Sequence, residues 1–169
     1  DSPGPVLYRH ERIGRGGKAM RIWKFRTMVR DAEALLDDLV SRDADLRAEW
    51  ESNHKLKQDP RVTRIGRFLR RSSVDELPQI INILKGEMSF VGPRPIVRDE
   101  VKFYEGGFEL YKKVRPGLSG LWQVSGRSDT SYAYRVSLDE YYIRHWTIWL
   151  DLYILIKPAW VVISRSSAY

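Results

Sequence analysis

A chain of 169 residues with 43% hydrophobic and 30% charged side chains can bury a core of its own, which excludes an intrinsically disordered segment. The absence of cysteine excludes disulfides and thiolate metal sites, and the net charge of +7 favours phosphate-bearing partners such as nucleic acid, nucleotides or lipid headgroups. The most apolar stretch, 148–163, is interrupted by Asp151, Lys157 and Pro158, so no segment is predicted to span a bilayer.

The first 28 residues predict a β-hairpin. Two strand-like segments, PVLYRHERI (5–13) and MRIWKFRTM (20–28), flank the glycine-rich turn GRGGKA (14–19). A phosphate-binding loop is the alternative, but Gly14, Gly16, Gly17 and Lys18 lack the spacing and the Ser or Thr of a P-loop. The hairpin turn is therefore the favoured interpretation.

Two helices of opposite charge follow the hairpin. Apolar residues at helical spacing predict a helix over 31–50 with Asp31 as its cap, and residues 31–51 carry a net charge of −6. Residues 55–71 carry +6 and contain an amphipathic helix within 61–71. Its apolar face consists of Val62, Ile65, Phe68 and Leu69. Its basic face, which is either solvated or lies on an anionic membrane or phosphate site, consists of Arg64, Arg67 and Arg71.

The most informative segment is SSVDELPQIINILKGEMSFVGPRP (72–95), in which two carboxylates, Asp75 and Glu76, are adjacent. Apolar residues at helical spacing predict a short helix with a buried face, starting near 74–77 and closed by Gly86. These apolar residues are Leu77, Ile80, Ile81 and Leu84. Asp75, Gln79 and Asn82 form a polar line on the opposite face, which indicates a lined cleft.

Two interpretations of the adjacent acids stay open at this point. In the structural one, Ser73 and Glu76 form a capping box at the helix N-terminus, and sequence physics alone favours it. In the chemical one, neighbouring arginines that include Arg70 and Arg94 bind a diphosphate, with Arg94 held between two prolines. An ionised Asp75 is then a candidate nucleophile at phosphorus, and Glu76 can hold Mg²⁺ beside the phosphates.

The rest of the chain predicts a helix over 96–112, a Gly- and Pro-punctuated loop over 115–128, and two helices over 131–145 and 147–163. The last helix is expected to be split or ended near Pro158. Some of its tryptophans are expected to pack in the core and others to lie at the membrane interface. These elements predict an α+β fold. It is a single compact domain, residues 1–169, with an N-terminal antiparallel β-hairpin and several amphipathic and interfacial helices.

Four segments of the chain resemble a known family. They are KFRTM (24–28), DPRVTRIGRFLRRSSVDELPQIINILKGEMSFVGPRP (59–95), VRPGLSGLWQVSGRS (114–128) and LDEYYIRHWTIWLDLYILIK (138–157). In this order they resemble the bacterial sugar transferases, the monotopic phosphoglycosyl transferases that start exopolysaccharide, capsule or O-antigen synthesis. The resemblance covers nearly the whole chain and is strongest to the large-type members that act on UDP-glucose or UDP-galactose.

The resemblance implies an enzyme that moves a hexose-1-phosphate from a UDP-sugar to polyprenyl (undecaprenyl) phosphate and releases UMP. Asp75 would form a covalent phosphosugar intermediate, and Asp75 and Glu76 would hold Mg²⁺. Arg70 and Arg94 match the family's phosphate-binding arginines. The positions that match other polar motif residues, with expected roles in nucleotide or lipid-phosphate binding, are Lys24, Arg115, Arg127 and Asp139.

The resemblance also implies a location and a set of partners. Members of the family begin with a membrane-embedded re-entrant helix, and this chain opens on DSPGPVLYR (1–9), which resembles the segment just after that helix. The expected partners are a UDP-sugar, polyprenyl phosphate and the cytoplasmic face of the bacterial inner membrane, with no nucleic acid. Without the resemblance, Lys24 would be a strand-surface lysine and Asp139 a helix-surface acid.

The competing class is a non-enzymatic basic module that binds nucleic acid or an anionic membrane. The net charge of +7 and the row of arginines favour it. The placement of the arginines counts against it, because they concentrate around two acids that would repel a nucleic-acid backbone. A third possibility is a folded but inactive catalytic part without its anchor. Neither the hexose nor the oligomeric state is predicted by the sequence.

Overall fold

A computed structural model describes residues 1–53, 56, 58–125 and 131–166, with the side chains of 52, 53 and 158–166 left out. The α+β class and the N-terminal antiparallel hairpin are confirmed. Strand β1 (Leu7–Ile13) pairs with β2 (Ala19–Phe25) through a short 3₁₀ turn, Arg15–Gly17. Gly16 and Gly17 have φ angles of 74° and 73°, a left-handed conformation that glycine adopts without strain, so the hairpin-turn interpretation is confirmed.

The chain divides into two compact units. The first unit contains Asp1–Tyr8 and Trp23–Pro78, and the second unit contains Arg9–Ile22 and Gln79–Tyr169. Each unit takes one piece of the hairpin and one later piece of the chain, so no single cut in the sequence separates them. This interleaving explains why the composition shows no linker, and the assignment of residues 1–169 to one domain stays a prediction.

In the first unit, the helix predicted over 31–50 is in fact two helices, α1 (Ala32–Arg42) and α2 (Ala44–Asn53). Asp43 separates them, because its Oδ1 accepts the backbone N–H groups of Asp45 at 2.9 Å and of Leu46 at 3.0 Å. An Asp in this role starts a new helix by satisfying its free N–H groups. The predicted cap, Asp31, does precede α1 but makes no capping hydrogen bond with its side chain.

Helix α3 (Arg64–Ser72) packs directly on the chain that follows β2. Met28 and Val62 form an antiparallel bridge, and the Thr63 N–H donates to the Thr27 carbonyl at 3.0 Å. A Cβ at position 66 would lie 2.0 Å from that same carbonyl oxygen, so only glycine allows this approach. The Thr63 hydroxyl caps α3 by accepting the Gly66 N–H.

The segment 74–84 runs as a 3₁₀ helix, Val74–Gln79, that continues into α4 (Ile80–Leu84), so the predicted start near 74–77 is confirmed. The prediction that the apolar face of this segment is buried is wrong. Leu77 is 50% exposed and Leu84 83% exposed, whereas Gln79 and Asn82 are buried at 2% and 0%. The Asn82 amide donates to the Arg21 carbonyl at 2.9 Å and to Glu87 Oε2 at 2.6 Å, which compensates the burial of its polar atoms.

In the second unit, strands β3 (Ser89–Val91) and β4 (Gly117–Ser119) pair in parallel. A Cβ at position 117 would lie 2.1 Å from the Gly92 backbone nitrogen, so the two strand ends touch backbone to backbone. Helix α6 (Leu121–Ser125) follows β4. The prediction of an irregular loop over 115–128 is therefore wrong for residues 117–125.

The other elements of the second unit are helical. The helix predicted over 96–112 is broken into two 3₁₀ turns, 98–103 and 105–107, and α5 (Phe108–Tyr111). Helices α7 (Tyr132–Arg144) and α8 (Ile148–Ser166) confirm two predicted helices, but α8 continues past Pro158, so the predicted break there is wrong. One core cluster is formed by Val91, Leu121, Tyr142 and Ile154. A second is formed by Ile96, Tyr104, Tyr111 and Val136. No helix in the described ranges is long and apolar enough to cross a membrane.

Candidate active site

The two adjacent acids lie where α3 ends and the chain turns. Ser73 closes α3 in the left-handed conformation, with φ at 58°, and its N–H donates to the Arg70 carbonyl at 3.3 Å. The 3₁₀ helix begins at the next residue, so Asp75 and Glu76 occupy its first turn. Ser73 therefore terminates one helix rather than capping the next, and the capping-box interpretation is wrong.

Lys24 of β2 binds the second acid. Its Nζ donates to Glu76 Oε1 at 2.5 Å, across 52 residues of sequence, with the two side chains 20% and 34% exposed. The interpretation of Lys24 as an uninvolved strand-surface lysine is thus wrong, since the strand directs it at the acids. This ion pair fixes the Glu76 carboxylate and places a positive charge beside Asp75.

Arg70 of α3 supplies a second positive charge at the acids. Its Nε donates to the Thr27 hydroxyl at 2.9 Å, and Thr27 is itself buried beneath Gly66. The Arg70 charge acts on Asp75 and lowers its pKa. Thr27 is a positioning residue that sequence reasoning missed, although it lies within the KFRTM motif.

Asp75 is half-buried, and its pKa is raised above the usual value because burial disfavours the charged carboxylate. The positive charge of Lys24 opposes this shift, the negative charge of Glu76 adds to it, and Arg70 opposes it. The result is a half-buried carboxylate on which two cations act. Such a group is a better nucleophile than a carboxylate in water.

The dyad fits Mg²⁺ only together with a phosphate ligand. Mg²⁺ prefers oxygen donors and is commonly held by one or two carboxylates plus substrate phosphates and water. In the described ranges, no group of three or more His, Cys, Asp or Glu side chains is arranged to hold a metal ion. Asp75 and Glu76 can supply two donors, and Glu76 already shares one oxygen with Lys24.

Arg94 belongs to the second unit, in a tightly anchored loop. Pro93 and Pro95 on either side of it are buried, and the Pro93 carbonyl accepts the Gly117 N–H at 2.8 Å. The Arg94 guanidinium lies 3.6 Å from a Glu100 carboxylate oxygen and 6.0 Å from the centre of the Trp122 ring. The rigid presentation expected from the two prolines agrees with these contacts.

Asp139 on α7 is the deepest charged side chain of the predicted site, at 1% exposed. Its Oδ2 accepts the Tyr104 hydroxyl at 2.7 Å. Burial raises the pKa of Asp139 to about 7, while the Tyr104 hydrogen bond and the Arg94 charge act in the opposite direction. A helix-surface acid is therefore the wrong description of Asp139, and its contact with substrate stays a prediction.

The structure thus places six of the predicted site residues in two groups, and Arg115 and Arg127 belong to neither. Lys24, Arg70, Asp75 and Glu76 meet in the first unit, whereas Arg94 and Asp139 interact in the second. Arg115 is exposed and lines a pocket of the second unit. Arg127 lies outside the described residues.

Comparison with known proteins identifies relatives of the whole chain. Residues 1–165 match the family described as Bacterial sugar transferase. The chain is 51% identical over 166 residues to the undecaprenyl-phosphate galactose phosphotransferase of Salmonella typhimurium, covering 98% of this chain and 35% of the relative. It is 48% identical to the exopolysaccharide production protein ExoY of Rhizobium meliloti, covering 97% of this chain and 73% of the relative.

A third relative is named for a different hexose. The chain is 39% identical over 176 residues to the UDP-glucose:undecaprenyl-phosphate glucose-1-phosphate transferase of Escherichia coli, covering 99% of this chain and 35% of the relative. The chain thus spans about a third of the length of the Salmonella and Escherichia proteins, 35% in each case.

Proposed function

The chain belongs to the bacterial sugar transferase family, and we propose that it transfers a hexose-1-phosphate from a UDP-sugar to polyprenyl phosphate and releases UMP. This is the first membrane step of exopolysaccharide, capsule or O-antigen synthesis. The observation that carries the proposal is the half-buried Asp75 beside Glu76, with Lys24 paired to Glu76 and the Arg70 charge acting on Asp75.

In the first step, a carboxylate oxygen of Asp75 attacks the β-phosphorus of the UDP-sugar. The bond from that phosphorus to the bridging oxygen breaks, UMP leaves with the bond's electron pair, and the sugar phosphate stays on Asp75 as an acyl phosphate. In the second step, a phosphate oxygen of polyprenyl phosphate attacks the same phosphorus. The Asp75–phosphorus bond then breaks, which yields polyprenyl diphosphate-sugar and restores the carboxylate.

The neighbours of Asp75 support this sequence electrostatically. Phosphoryl transfer spreads negative charge over the phosphate oxygens, so fixed cations such as Lys24 and Arg70 stabilise the transition state. Asp75 and Glu76 would hold Mg²⁺, which when bound supplies further positive charge to the two phosphates. For Arg94 of the second unit, we retain the phosphate-binding role that the resemblance implies.

The exposed apolar residues support a membrane location. On α3, Ile65 is 55% and Phe68 67% exposed, and both are flanked by exposed arginines. In the segment 74–84, Leu77, Ile80, Ile81 and Leu84 also face outward. On α3 by itself, apolar side chains bordered by arginines match the composition of a helix face that lies on an anionic bilayer. We therefore propose that the chain acts at the surface of the inner membrane, on the cytoplasmic face that the resemblance implies.

The test is covalent labelling in vesicles with Mg²⁺ and radiolabelled UDP-glucose or UDP-galactose, without acceptor. Wild-type protein is expected to retain label and release UMP with at least one donor, and Asp75→Asn to do neither. The control Asp99→Asn removes an exposed acid of the second unit and should label normally. Turnover by Asp75→Asn at the wild-type rate would end the proposal. RNA binding with a steep salt dependence and no UMP release would instead support the basic binding module.

A further inference from the structure

The second unit contains a basic pocket. Of the residues that line it, only Arg115 has an expected role in the proposed transfer reaction. Its cavity volume is about 430 Å³. Three cationic side chains line it, Arg15, Lys113 and Arg115. The facing wall includes Tyr142, Ile143 and Trp146. The pocket thus combines three positive charges with an apolar, partly aromatic surface.

The fold brings the cations together from three parts of the sequence. Arg15 lies in the hairpin turn, which is tied down because the Gly16 N–H donates to the Lys112 carbonyl at 2.8 Å. This bond places Arg15 next to Lys113. Arg115 directly precedes Pro116, whose carbonyl accepts the Ser89 N–H at 2.9 Å in the β3–β4 pairing.

These three charges have no carboxylate partner among the residues that the structure describes. Asp151 does not line the pocket and bonds to two residues that do, since it accepts the Tyr142 hydroxyl at 2.7 Å and the Trp146 indole N–H at 3.0 Å. The adjacent Lys112, by contrast, is paired with Glu109 at 2.5 Å. Three unpaired cations repel one another, so a concave site of this kind is stabilised by an anion.

We propose that this pocket binds a phosphate group of a ligand whose apolar or flat portion rests against Trp146. Arginine binds phosphate oxygens in pairs and lysine adds a point charge, so the three cations suit a dianionic phosphate. Trp146 is 59% exposed and offers a ring face to such a portion. The phosphate comes either from an anionic lipid headgroup or from a free nucleotide. The inference rests on the proposed function at Arg115, for which a phosphate-binding role is expected, and adds Arg15 and Lys113 to it; binding here needs neither the dyad nor turnover.

The test compares two double variants of equal charge. Arg15→Ala/Lys113→Ala removes two pocket cations and spares Arg115, and Arg98→Ala/Lys102→Ala removes two exposed cations outside the pocket. One arm measures UMP and inorganic phosphate binding by calorimetry without Mg²⁺. The other arm measures co-sedimentation with phosphatidylglycerol vesicles, using phosphatidylcholine vesicles as the uncharged reference. Thermal unfolding checks that each variant is folded, and Arg15→Gln or Lys113→Gln alone replaces a double variant that is not.

The pocket variant is expected to bind at least about tenfold more weakly in one arm, while the control variant matches wild type. A loss confined to the soluble ligands identifies a free phosphate, and a loss confined to phosphatidylglycerol identifies a headgroup. Absence of wild-type binding in both arms, or equal weakening by both double variants, would overturn the inference. Labelling by UDP-sugar in the pocket variant separates this outcome from failure of the proposed transfer.

Discussion

Asp75 in the first unit and Asp139 in the second are both carboxylates whose pKa is raised by burial, yet their surroundings differ. Asp75 is half-buried beside Glu76, with Lys24 and Arg70 as neighbouring cations. Asp139 is fully enclosed and accepts the Tyr104 hydroxyl at 2.7 Å. Burial alone therefore does not mark a nucleophile. Asp75 is accessible and has cations near it, so it can contact a phosphate. Asp139 is enclosed, so its contacts are with its own unit.

The largest expected effect is on covalent labelling, which should depend on Asp75 and not on Asp139. Asp75→Asn should lower covalent labelling by more than about 1,000-fold, since the amide is not a nucleophile at phosphorus. Asp139→Asn should still label, because its side chain is enclosed and does not form the intermediate. Intact-mass measurement of the sugar-phosphate adduct checks both variants. An adduct on Asp75→Asn would contradict the role of Asp75 as the nucleophile. A folded Asp139→Asn that forms no adduct would contradict the claim that Asp139 is not needed for the intermediate.

The next effect concerns the packing that holds Arg70 beside Asp75. Gly66→Ala would place a Cβ 2.0 Å from the Thr27 carbonyl oxygen and should lower the free energy of unfolding by about 3 kcal/mol. Gly106→Ala in the second unit has open space and is the matched control, with an expected change under about 1 kcal/mol. Urea unfolding measures both changes. Equal midpoints for the two variants would contradict the close packing of α3 on Thr27.

The pH dependence of the free energy of unfolding tests whether the pKa of Asp139 is raised in the folded state. Its folded pKa of about 7 lies above the usual 3.8, so the folded state holds a proton that the unfolded state has released between those values. The free energy of unfolding should therefore fall by on the order of 3 kcal/mol as pH rises from about 4 to 7, then level off.

Asp139→Asn should remove this fall, because an amide does not titrate and still accepts the Tyr104 hydroxyl. The tyrosines that interact electrostatically with Asp139 are Tyr104, Tyr111 and Tyr132, and burial raises the pKa of each above its usual value of 10, so none of them titrates in this range. Denaturant titrations across the range provide the measurement. A slope that survives in Asp139→Asn would assign the titration to another group.

A smaller effect is expected for the ion pair at the dyad. Lys24→Ala should slow transfer by about 10- to 100-fold, since it removes one cation from the developing phosphate charge. Lys18→Ala, an exposed lysine of the same hairpin, should leave the rate unchanged. UMP release at saturating donor reports the rate. A donor KM that rises with no change in kcat would limit Lys24 to substrate binding.

The smallest stability effect is expected at the exposed apolar face of α3. Phe68→Ser should change the free energy of unfolding by less than about 0.5 kcal/mol, because the ring is 67% exposed. The same variant should weaken binding to phosphatidylglycerol vesicles by about tenfold. Val62→Ala, at a buried position of the first unit, should lower the free energy of unfolding and leave vesicle binding unchanged. Unchanged vesicle binding in Phe68→Ser would remove α3 from the membrane face.

Much of the candidate site was predictable from local signals. The adjacent acids, the arginine before them and the family motifs indicate Asp75, Glu76, Arg70 and Lys24 from the sequence alone. Thr27 was not predictable, because a threonine after a strand has no distinctive pattern until α3 packs on it. The pocket of the second unit was equally hidden, since Arg15 and Lys113 are 98 residues apart and nothing in their spacing links them.

The sequence by itself determined the hairpin, through glycines that can adopt left-handed φ angles, and the succession of helices, through the period of the apolar residues. Only the tertiary structure decided which helix faces are buried. In the segment 74–84 a helical segment was predicted correctly, but its first part is a 3₁₀ helix, the polar Gln79 and Asn82 face the interior and the leucines face outward. Periodicity separates two faces of a helix, whereas the partner that covers a face is set by packing and by hydrogen bonds such as those of Asn82.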